Sequence, residues 1–303
     1  MPLACPGNKN CFNNTNLGLR TALATCISDN TFYVNSVSNN FSKFACKSYP
    51  FHTARYSGNI CYDGIKRHIE VGFEVESAFI ELTDICFDDV LYTHLDVKAT
   101  IVSRIAGYQS RFPTPSLLQD NFFPGISAQT LHTQMKQWDV FSGLLGSTLL
   151  GDQYIDPTAE YYLARGQHSV KDEYVYGSKH RTKFHSVNVS PQWQIFNGGN
   201  CEALESSVRA YADKKKLFLV VYTGTYGVAT LPNVNGIETE LYLYVDSNSN
   251  KAFPLPKFYW KAVYDPKRQV GVVFVGINNP YVSDPQGDDL ICNDVCSKIS
   301  WVN

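Results

Sequence analysis

Residues 163–168 read LARGQH, and residues 188–205 read NVSPQWQIFNGGNCEALE. If the first segment is a strand, Arg165 and Gln167 lie on one face and His168 on the other, because neighbouring side chains of a strand alternate. If a helix begins near residue 200, Glu205 lies in its second turn and can reach back toward Asn197. A single arginine or asparagine would be an ordinary surface residue. The ordered set is far more specific: Arg165, Asn188, Asn197 and Glu205, with these intervening residues.

This pattern resembles the active-site region of the DNA/RNA non-specific endonuclease family of Serratia type, which carries a ββα-metal (His-Me finger) motif. The resemblance extends to its secreted insect and crustacean branch, including nucleic-acid-binding salivary homologues of tsetse flies, and is strongest from about residue 111 to 281. It implies an α+β fold with a mixed, mostly antiparallel central sheet, flanking helices and the ββα motif at about 160–212. We expect one endonuclease-like domain, 1–303, with a disulfide-pinned β-rich portion at 1–95 and the nuclease core at 96–303.

The resemblance also implies a divalent-metal site for phosphodiester hydrolysis. The side-chain oxygen of Asn197 would bind Mg²⁺, with Mn²⁺ as the alternative ion, and Glu205 would accept hydrogen bonds from water on the metal. One amide oxygen can suffice, because Mg²⁺ prefers oxygen ligands and keeps most of its waters. Asn188 is expected to orient the site. The implied partners are DNA and RNA, bound through the backbone without sequence preference.

The chain departs from the family pattern at the most important position. The family has Arg-Gly-His where this chain has Arg165, Gly166 and Gln167, and that histidine is the general base. A glutamine amide cannot accept a proton near neutral pH, so Gln167 can hold water or a phosphate oxygen but cannot activate the nucleophile. Losing a positioned base costs about 10²- to 10⁴-fold in rate. We therefore expect nucleic-acid binding with absent or weak residual Mg²⁺-dependent cleavage. A second departure is Cys201, where the family has tryptophan.

Positive charge gathers beside this motif although the net charge is −2. Residues 70–89 carry seven acids and no lysine or arginine, whereas residues 165–185 carry five lysines and arginines against two acids. Such segregation allows a local basic face on a mildly acidic protein. Guanidinium and ammonium groups donate to phosphate oxygens. Six are expected to contact the nucleic acid: Arg111, Arg165, Lys171, Lys179, Arg181 and Lys183. The nearby histidines, His180 and His185, are expected at the surface or in contact with phosphate.

Nine cysteines favour an oxidising compartment and a secreted protein. Six lie before residue 87 and two near the C-terminal end, and we expect four disulfides with Cys201 as the free thiol. The chain contains no apolar run long enough for a membrane span.

Apolar periodicity predicts the regular elements. Strands are expected near residues 31–37, 69–75, 79–82, 90–101, 216–223, 238–245, 258–264 and 269–275. Helical spacing predicts one helix over residues 128–149.

Two other functions fit the sequence. A fully active endonuclease would replace the missing base with His168 or metal-bound hydroxide, although His168 would need a bulge or register slip to reach the phosphate. A degenerate scaffold would instead have lost nucleic-acid binding and would hold a protein or small ligand. Salt-insensitive binding would indicate the scaffold, because phosphate contacts release counterions.

Overall fold

Strands and helices fall into three blocks along the chain. The computed structural model describes residues 1–13, 18–62 and 64–291, except for the side chain of Lys171. The first block comprises β1 (Pro2–Ala4), β2 (Thr21–Ser28), β3 (Thr31–Val34), β4 (Val37–Asn40), β5 (Thr53–Cys61), β6 (Lys66–Val75), β7 (Ala78–Asp88) and β8 (Thr93–Ile101). The second comprises α1 (Ala128–Leu131), α2 (Gln134–Leu145), α3 (Thr148–Tyr154), β9 (Leu163–Gln167), α4 (Gly177–His180), β10 (Val189–Trp193), α5 (Gln194–Phe196) and α6 (Glu202–Lys215). The third comprises β11 (Leu219–Val228), β12 (Thr230–Pro232), β13 (Glu238–Glu240), β14 (Tyr242–Val245), β15 (Lys251–Pro254), β16 (Pro256–Asp265) and β17 (Val270–Ile277).

Seven of these strands form one antiparallel sheet, so the predicted α+β fold is confirmed. Their order across the sheet is β17-β16-β11-β8-β7-β6-β5. The pairing of β8 with β11 joins the two halves of the sheet, with Ile101 opposite Leu219 and Asp96 opposite Gly224. A smaller sheet of β1 to β4 lies outside it. The first ninety-five residues therefore supply strands to the same sheet as the C-terminal part of the chain.

One face of the central sheet is buried, and the other is partly open. Alternating residues of β8, β11 and β16 are buried: Val97, Ala99, Ile101, Leu219, Val221, Thr223, Tyr259, Lys261 and Val263. Their neighbours Lys98 and Tyr222 are exposed and half-buried, respectively. Helix α6 packs Val208 against the buried face, and α2 brings Phe141 into the adjoining core. This face thus holds a buried threonine and a buried lysine beneath its covering layer.

The predicted helix over residues 128–149 is instead divided into α1, α2 and α3. Ser127 caps α1, accepting a hydrogen bond from the backbone N–H of Thr130. Gly146 ends α2 in the left-handed conformation with a φ of 74°, which suits a residue without Cβ. The indole N–H of Trp138 donates to Asp152 at 2.7 Å and ties α2 to α3. Among the described residues, no helix has the length and apolar character needed to cross a membrane.

Two predicted strands are interrupted within the ranges that the sequence pattern suggests. Strand β3 ends at Val34, because Asn35 and Ser36 form a left-handed turn with φ values of 45° and 65°. The strand predicted over residues 238–245 is split into β13 and β14 at Leu241, whose backbone N–H bonds to the carbonyl of Ala229 at 3.0 Å. The other six predicted strands correspond to β6, β7, β8, β11, β16 and β17.

The described residues contain two disulfides, whereas four are predicted for the whole chain. Cys5 bonds to Cys46, and Cys61 bonds to Cys86 between β5 and β7. Cys201 is free, as expected. The expectation of four disulfides is not met among the described residues, because neither Cys11 nor Cys26 is bonded there. The remaining two, Cys292 and Cys296, lie outside those residues.

Acid should destabilise this fold because several histidines are buried in the neutral form. Burial lowers the pKa of His94 to about 3, against about 6.5 in an unfolded chain. At a pH above the pKa of the unfolded chain, His94 is neutral in both the folded and the unfolded protein. As the pH falls below that pKa, only the unfolded chain gains the proton, so the free energy of unfolding decreases. The expected slope for one such histidine is about 1.4 kcal/mol per pH unit.

The measurement is the free energy of unfolding by urea, followed from about pH 6 to about pH 4 in wild type and His94→Gln. Glutamine can retain a hydrogen bond to Ser190, which His94 contacts at 3.2 Å through Nε2. The variant should lose less stability over this range. Parallel curves for the two proteins would show that His94 does not contribute.

Candidate active site

The strand–strand–helix motif expected from the signature segments is present. Strands β9 and β10 pair antiparallel, with Gln167 opposite Val189 and Arg165 opposite Pro191. Helix α5 follows β10 directly, then a π-helical turn over Asn197–Cys201, then α6. Because α6 begins at Glu202, Glu205 lies in its first turn and not, as predicted, in a second one. The turn and the helix bring the two expected metal-site residues to one end of α6.

Gly166 allows the two strands to lie close to the central sheet. A Cβ at this position would be 2.4 Å from Oε1 of Gln192 and 3.0 Å from the hydroxyl of Tyr259. On the partner strand, the Trp193 side chain is 1% exposed, and its backbone N–H donates to Asn278 at 3.0 Å. The glycine of the signature is thus required by packing.

Strand alternation separates Gln167 from His168, as predicted. Gln167 lines the cleft beside the motif together with Arg165. His168 is 1% exposed, and its Nδ1 lies 3.3 Å from the carbonyl oxygen of Thr223 on the central sheet. Burial, with the nearby His94 ring as a second cause, holds the pKa of His168 well below its usual range. His168 is therefore a neutral core residue on the side of β9 opposite the cleft.

The side chain of Asn188 is buried and makes hydrogen bonds to three backbone groups. Its side-chain oxygen accepts the backbone N–H of Ser169 at 3.1 Å, and its amide nitrogen donates to the carbonyls of Ser169 at 2.9 Å and Lys183 at 3.1 Å. The amide nitrogen of Gln167 donates to the same Lys183 carbonyl at 3.4 Å. Asn188 is 1% exposed, and these hydrogen bonds fix the end of β9. Its role in orienting the active site stays a prediction.

The cleft has a volume of about 680 Å³. Its polar lining includes Arg165, Gln167, Asn197, Glu202, Glu205 and Arg209.

Burial raises the pKa of Glu205 to about 7, although Lys261 acts in the opposite direction. The amide oxygen of Asn197 and the carboxylate of Glu205 are hard donors of the kind that Mg²⁺ takes. A cation beside Glu205 would favour its ionised form, so these two residues fit a divalent ion. Among the described residues there is no cluster of three or more His, Cys, Asp or Glu side chains suited to a metal.

The model of the DNA/RNA non-specific endonuclease family matches residues 65–303. The chain belongs to this endonuclease family. It is 29% identical over 237 residues to a salivary endonuclease of Lutzomyia longipalpis, covering 77% of this chain and 54% of that protein. It is 24% identical over 304 residues to salivary protein Tsal1 of Glossina morsitans morsitans, covering 98% of this chain and 71% of that protein. The chain thus spans about half the length of the Lutzomyia relative.

A looser likeness in structure extends to a chain of the solved EndoG/EndoGI complex, with a TM-score of 0.41 and 14% identity. It covers 70% of this chain and 76% of that one.

In this member of the endonuclease family, two of the basic side chains predicted to contact phosphate instead make hydrogen bonds within the protein. Lys183 is fully buried, and its ammonium donates to the hydroxyl of Thr83 at 2.5 Å. Burial lowers its pKa to about 7. Arg181 donates to the carbonyl of Pro113 at 3.0 Å and lies over the ring of Tyr49 at 4.7 Å. The prediction is therefore wrong for Lys183, and Arg181 serves a packing role.

The remaining predicted cations lie in different places. Lys179 lines a separate groove of about 460 Å³, whose lining includes no residue of β9, β10 or α6. Arg111 is exposed, a few residues before the segment 114–117 that lines the cleft. The side chain of Lys171 lies outside the described part of the structure. Of the six predicted residues, the structure places Arg165 in the cleft wall.

His180 and His185 are buried, contrary to the expectation of surface histidines. The Nε2 of His180 is 2.6 Å from the carbonyl oxygen of Tyr174. His185 bridges Asp120 at 2.6 Å and His52 at 2.8 Å. These contacts tie the segment that carries the basic residues to the surrounding structure.

Arg209 is a cleft residue that the sequence reasoning missed. It lines the cleft with Glu202 and Glu205, which precede it on α6 by seven and four residues. That spacing places the three side chains on one face of a helix, and this signal was available in the sequence.

A buried ionic group lies beneath the motif. Ser169 donates to the carboxylate of Glu173 at 2.6 Å, and the ammonium of Lys261 lies 3.7 Å from the same carboxylate. Lys261 also donates to the hydroxyl of Thr223 at 2.7 Å. Because both ions are almost fully buried, removing one would leave the other without its partner. These hydrogen bonds and this ion pair therefore fix the buried layer against which β9 and α6 lie.

Gly166→Ala should destabilise the protein by about 1–3 kcal/mol, since its Cβ would overlap Gln192. Differential scanning calorimetry measures the effect as a fall in Tm. Gly107→Ala is the matched control, because a Cβ there would meet no atom within 4 Å. Equal Tm values for the two variants would show that close packing at Gly166 is not required.

Proposed function

We propose that this chain is a secreted nucleic-acid-binding protein derived from a metal-dependent endonuclease, and that its own cleavage of DNA and RNA is weak. Family membership supports an ancestral nuclease site. The similarity to salivary proteins and the two disulfides of this chain support secretion. The observation that carries the proposal is Gln167, which lines the cleft on β9 where the family resemblance places the general base. A glutamine amide positions water but does not take its proton.

Each cleft residue has a proposed role. Arg165 and Arg209 hold backbone phosphates, because guanidinium groups donate two hydrogen bonds to phosphate oxygens. Asn197 and Glu205 hold a divalent ion, Mg²⁺ or Mn²⁺, which stabilises charge on the phosphate when bound. Gln167 orients a water or a phosphate oxygen. Contacts of this kind read the backbone and give binding without sequence preference.

The burial of His168 argues against the active-enzyme alternative that uses it as the base. Its ring packs against His94 with centroids 3.8 Å apart, and its Nδ1 faces the central sheet. Reaching the cleft would require its side chain to cross to the opposite face of β9.

Gln167→His should restore a base and raise the rate of cleavage by about 10²- to 10⁴-fold. The measurement is single-turnover cleavage of labelled duplex DNA and double-stranded RNA with Mg²⁺. The binding affinity for each of these substrates is measured in parallel. Affinity should change little, because the phosphate contacts remain.

Gln167→Asn is the matched control for this substitution, since it keeps an amide and adds no base. It should cleave as slowly as wild type. Wild-type cleavage as fast as that of Gln167→His would overturn the weak-cleavage proposal and make the protein an active endonuclease.

Nucleic-acid binding should depend on a divalent ion. The cleft is lined by two arginines and by three acids, Asp172, Glu202 and Glu205. Even with Glu205 protonated, the remaining acids equal the arginines in number, so without a cation the cleft has no excess of positive charge to attract phosphate. Chelation with EDTA should weaken binding, measured by fluorescence anisotropy at several salt concentrations. Arg165→Ala and Arg209→Ala should each weaken binding and lower the slope of log affinity against log salt by about 0.7–0.9.

Lys214→Ala is the control, because Lys214 is an exposed cation on α6 outside the cleft lining. It should leave the affinity close to that of wild type. Absence of salt-dependent binding to any polynucleotide, with or without Mg²⁺, would support the degenerate scaffold instead.

A further inference from the structure

A second cavity of about 380 Å³ lies behind the cleft, between the motif and the buried face of the central sheet. Gln167 and Glu205 line both cavities, so the second opens beside the site proposed for the phosphate. Its volume is within the range of about 300–1,000 Å³ found for small-molecule pockets. A group attached to a backbone held in the cleft could therefore enter it.

The walls of this cavity are largely aromatic and aliphatic. Phe196, Leu204, Tyr259 and Phe274 line it. Gly276 gives the Phe196 ring room against β17, since a Cβ there would lie 2.6 Å from the end of that ring. Flat aromatic surfaces of this kind favour a planar ring over a branched aliphatic group.

The polar groups of the cavity favour a neutral ligand with both donors and acceptors. Side-chain amides of Gln167, Gln192 and Asn200 line it. Within the described part of the chain, the Gln192 side-chain nitrogen donates to the thiol sulfur of Cys201 at 3.0 Å, and sulfur is a weak acceptor. A better acceptor on a ligand could replace that contact.

A charged ligand is not favoured there. The lining contains charges of both signs, the ammonium of Lys261 and the carboxyl group of Glu205. Lys261 is already bonded to Thr223 and lies 3.7 Å from the carboxylate of Glu173. Inside the cavity an anion would meet Glu205 and compete with Glu173 for Lys261, and a cation would be repelled by Lys261.

We propose that this cavity receives one unstacked base of a single-stranded nucleic acid whose backbone lies in the cleft. A base is planar, neutral and edged with donors and acceptors, and it is joined to a phosphate that the neighbouring arginines can hold. The inference rests on the proposed function. It predicts a preference for single strands or unpaired bases, because a base in a duplex must first leave its stack.

The test compares an intact single-stranded DNA 12-mer with the same 12-mer in which the central nucleotides are abasic. Both carry the same phosphates, so any difference in affinity reports the bases. With Mg²⁺ present, wild type should bind the intact strand about 5- to 100-fold more tightly, the range expected for stacking one base. Cys201→Phe, which fills the cavity, should remove most of that difference while keeping the affinity for the abasic strand.

Two further variants keep the test decisive. Leu204→Trp fills the cavity from α6 and serves if Cys201→Phe does not fold, as judged by its thermal transition. Ala203→Phe is the matched control, because Ala203 is exposed on α6 and does not line the cavity. It should retain the preference for the intact strand.

The possible failures are distinguishable. Equal, salt-sensitive binding of the intact and abasic strands by wild type would overturn the base pocket and leave the proposed function standing. A preference that persists in both filled variants would also overturn it. Failure of wild type to bind either strand while it binds duplex DNA would overturn the pocket alone. Failure to bind the strands and the duplex alike would reject the proposed function, and the pocket with it.

Discussion

The antiparallel pairing of β9 with β10 decides which side chains can do chemistry in this protein. Pairing of Gln167 with Val189 fixes the register, and alternation then directs Arg165 and Gln167 toward the cleft and His168 toward the sheet. A shift by one residue would exchange these faces, but it would also place a side chain where only Gly166 fits against Gln192. Close packing thus excludes the strand register in which His168 could face the cleft and serve as a base.

The charges of this region lie in two layers that differ in how completely they are balanced. Beneath the motif, Glu173 and Lys261 are buried and satisfied by each other and by neighbouring hydroxyls. At the surface, the acids of α6 offset the two cleft arginines. The paired charges therefore lie beneath the motif, and the charges that the proposed cation and phosphate would contact lie in the cleft.

The sequence predicted the motif better than its surroundings. An ordered set of residues with fixed spacing identified the α+β fold and the family, and strand alternation placed His168 correctly. Charge counting failed, because a run of cations says nothing about burial: Lys183 is enclosed by contacts from β7, a hundred residues earlier. Arg209 was missed although helical spacing links it to Glu205. The long predicted helix failed in part for a local reason, since the left-handed Gly146 ends α2.

The order of strands in the central sheet has a consequence for biosynthesis. Strand β8 pairs with β11, which begins more than a hundred residues later, with the whole strand–strand–helix motif between them. While the chain is being made, β8 therefore presents an unpaired edge until the third block of strands emerges. Unpaired edges are templates for pairing with other chains, and distant pairings form slowly. The first half of this protein should consequently need protection from aggregation during its synthesis, a requirement set by topology and independent of any residue in the cleft.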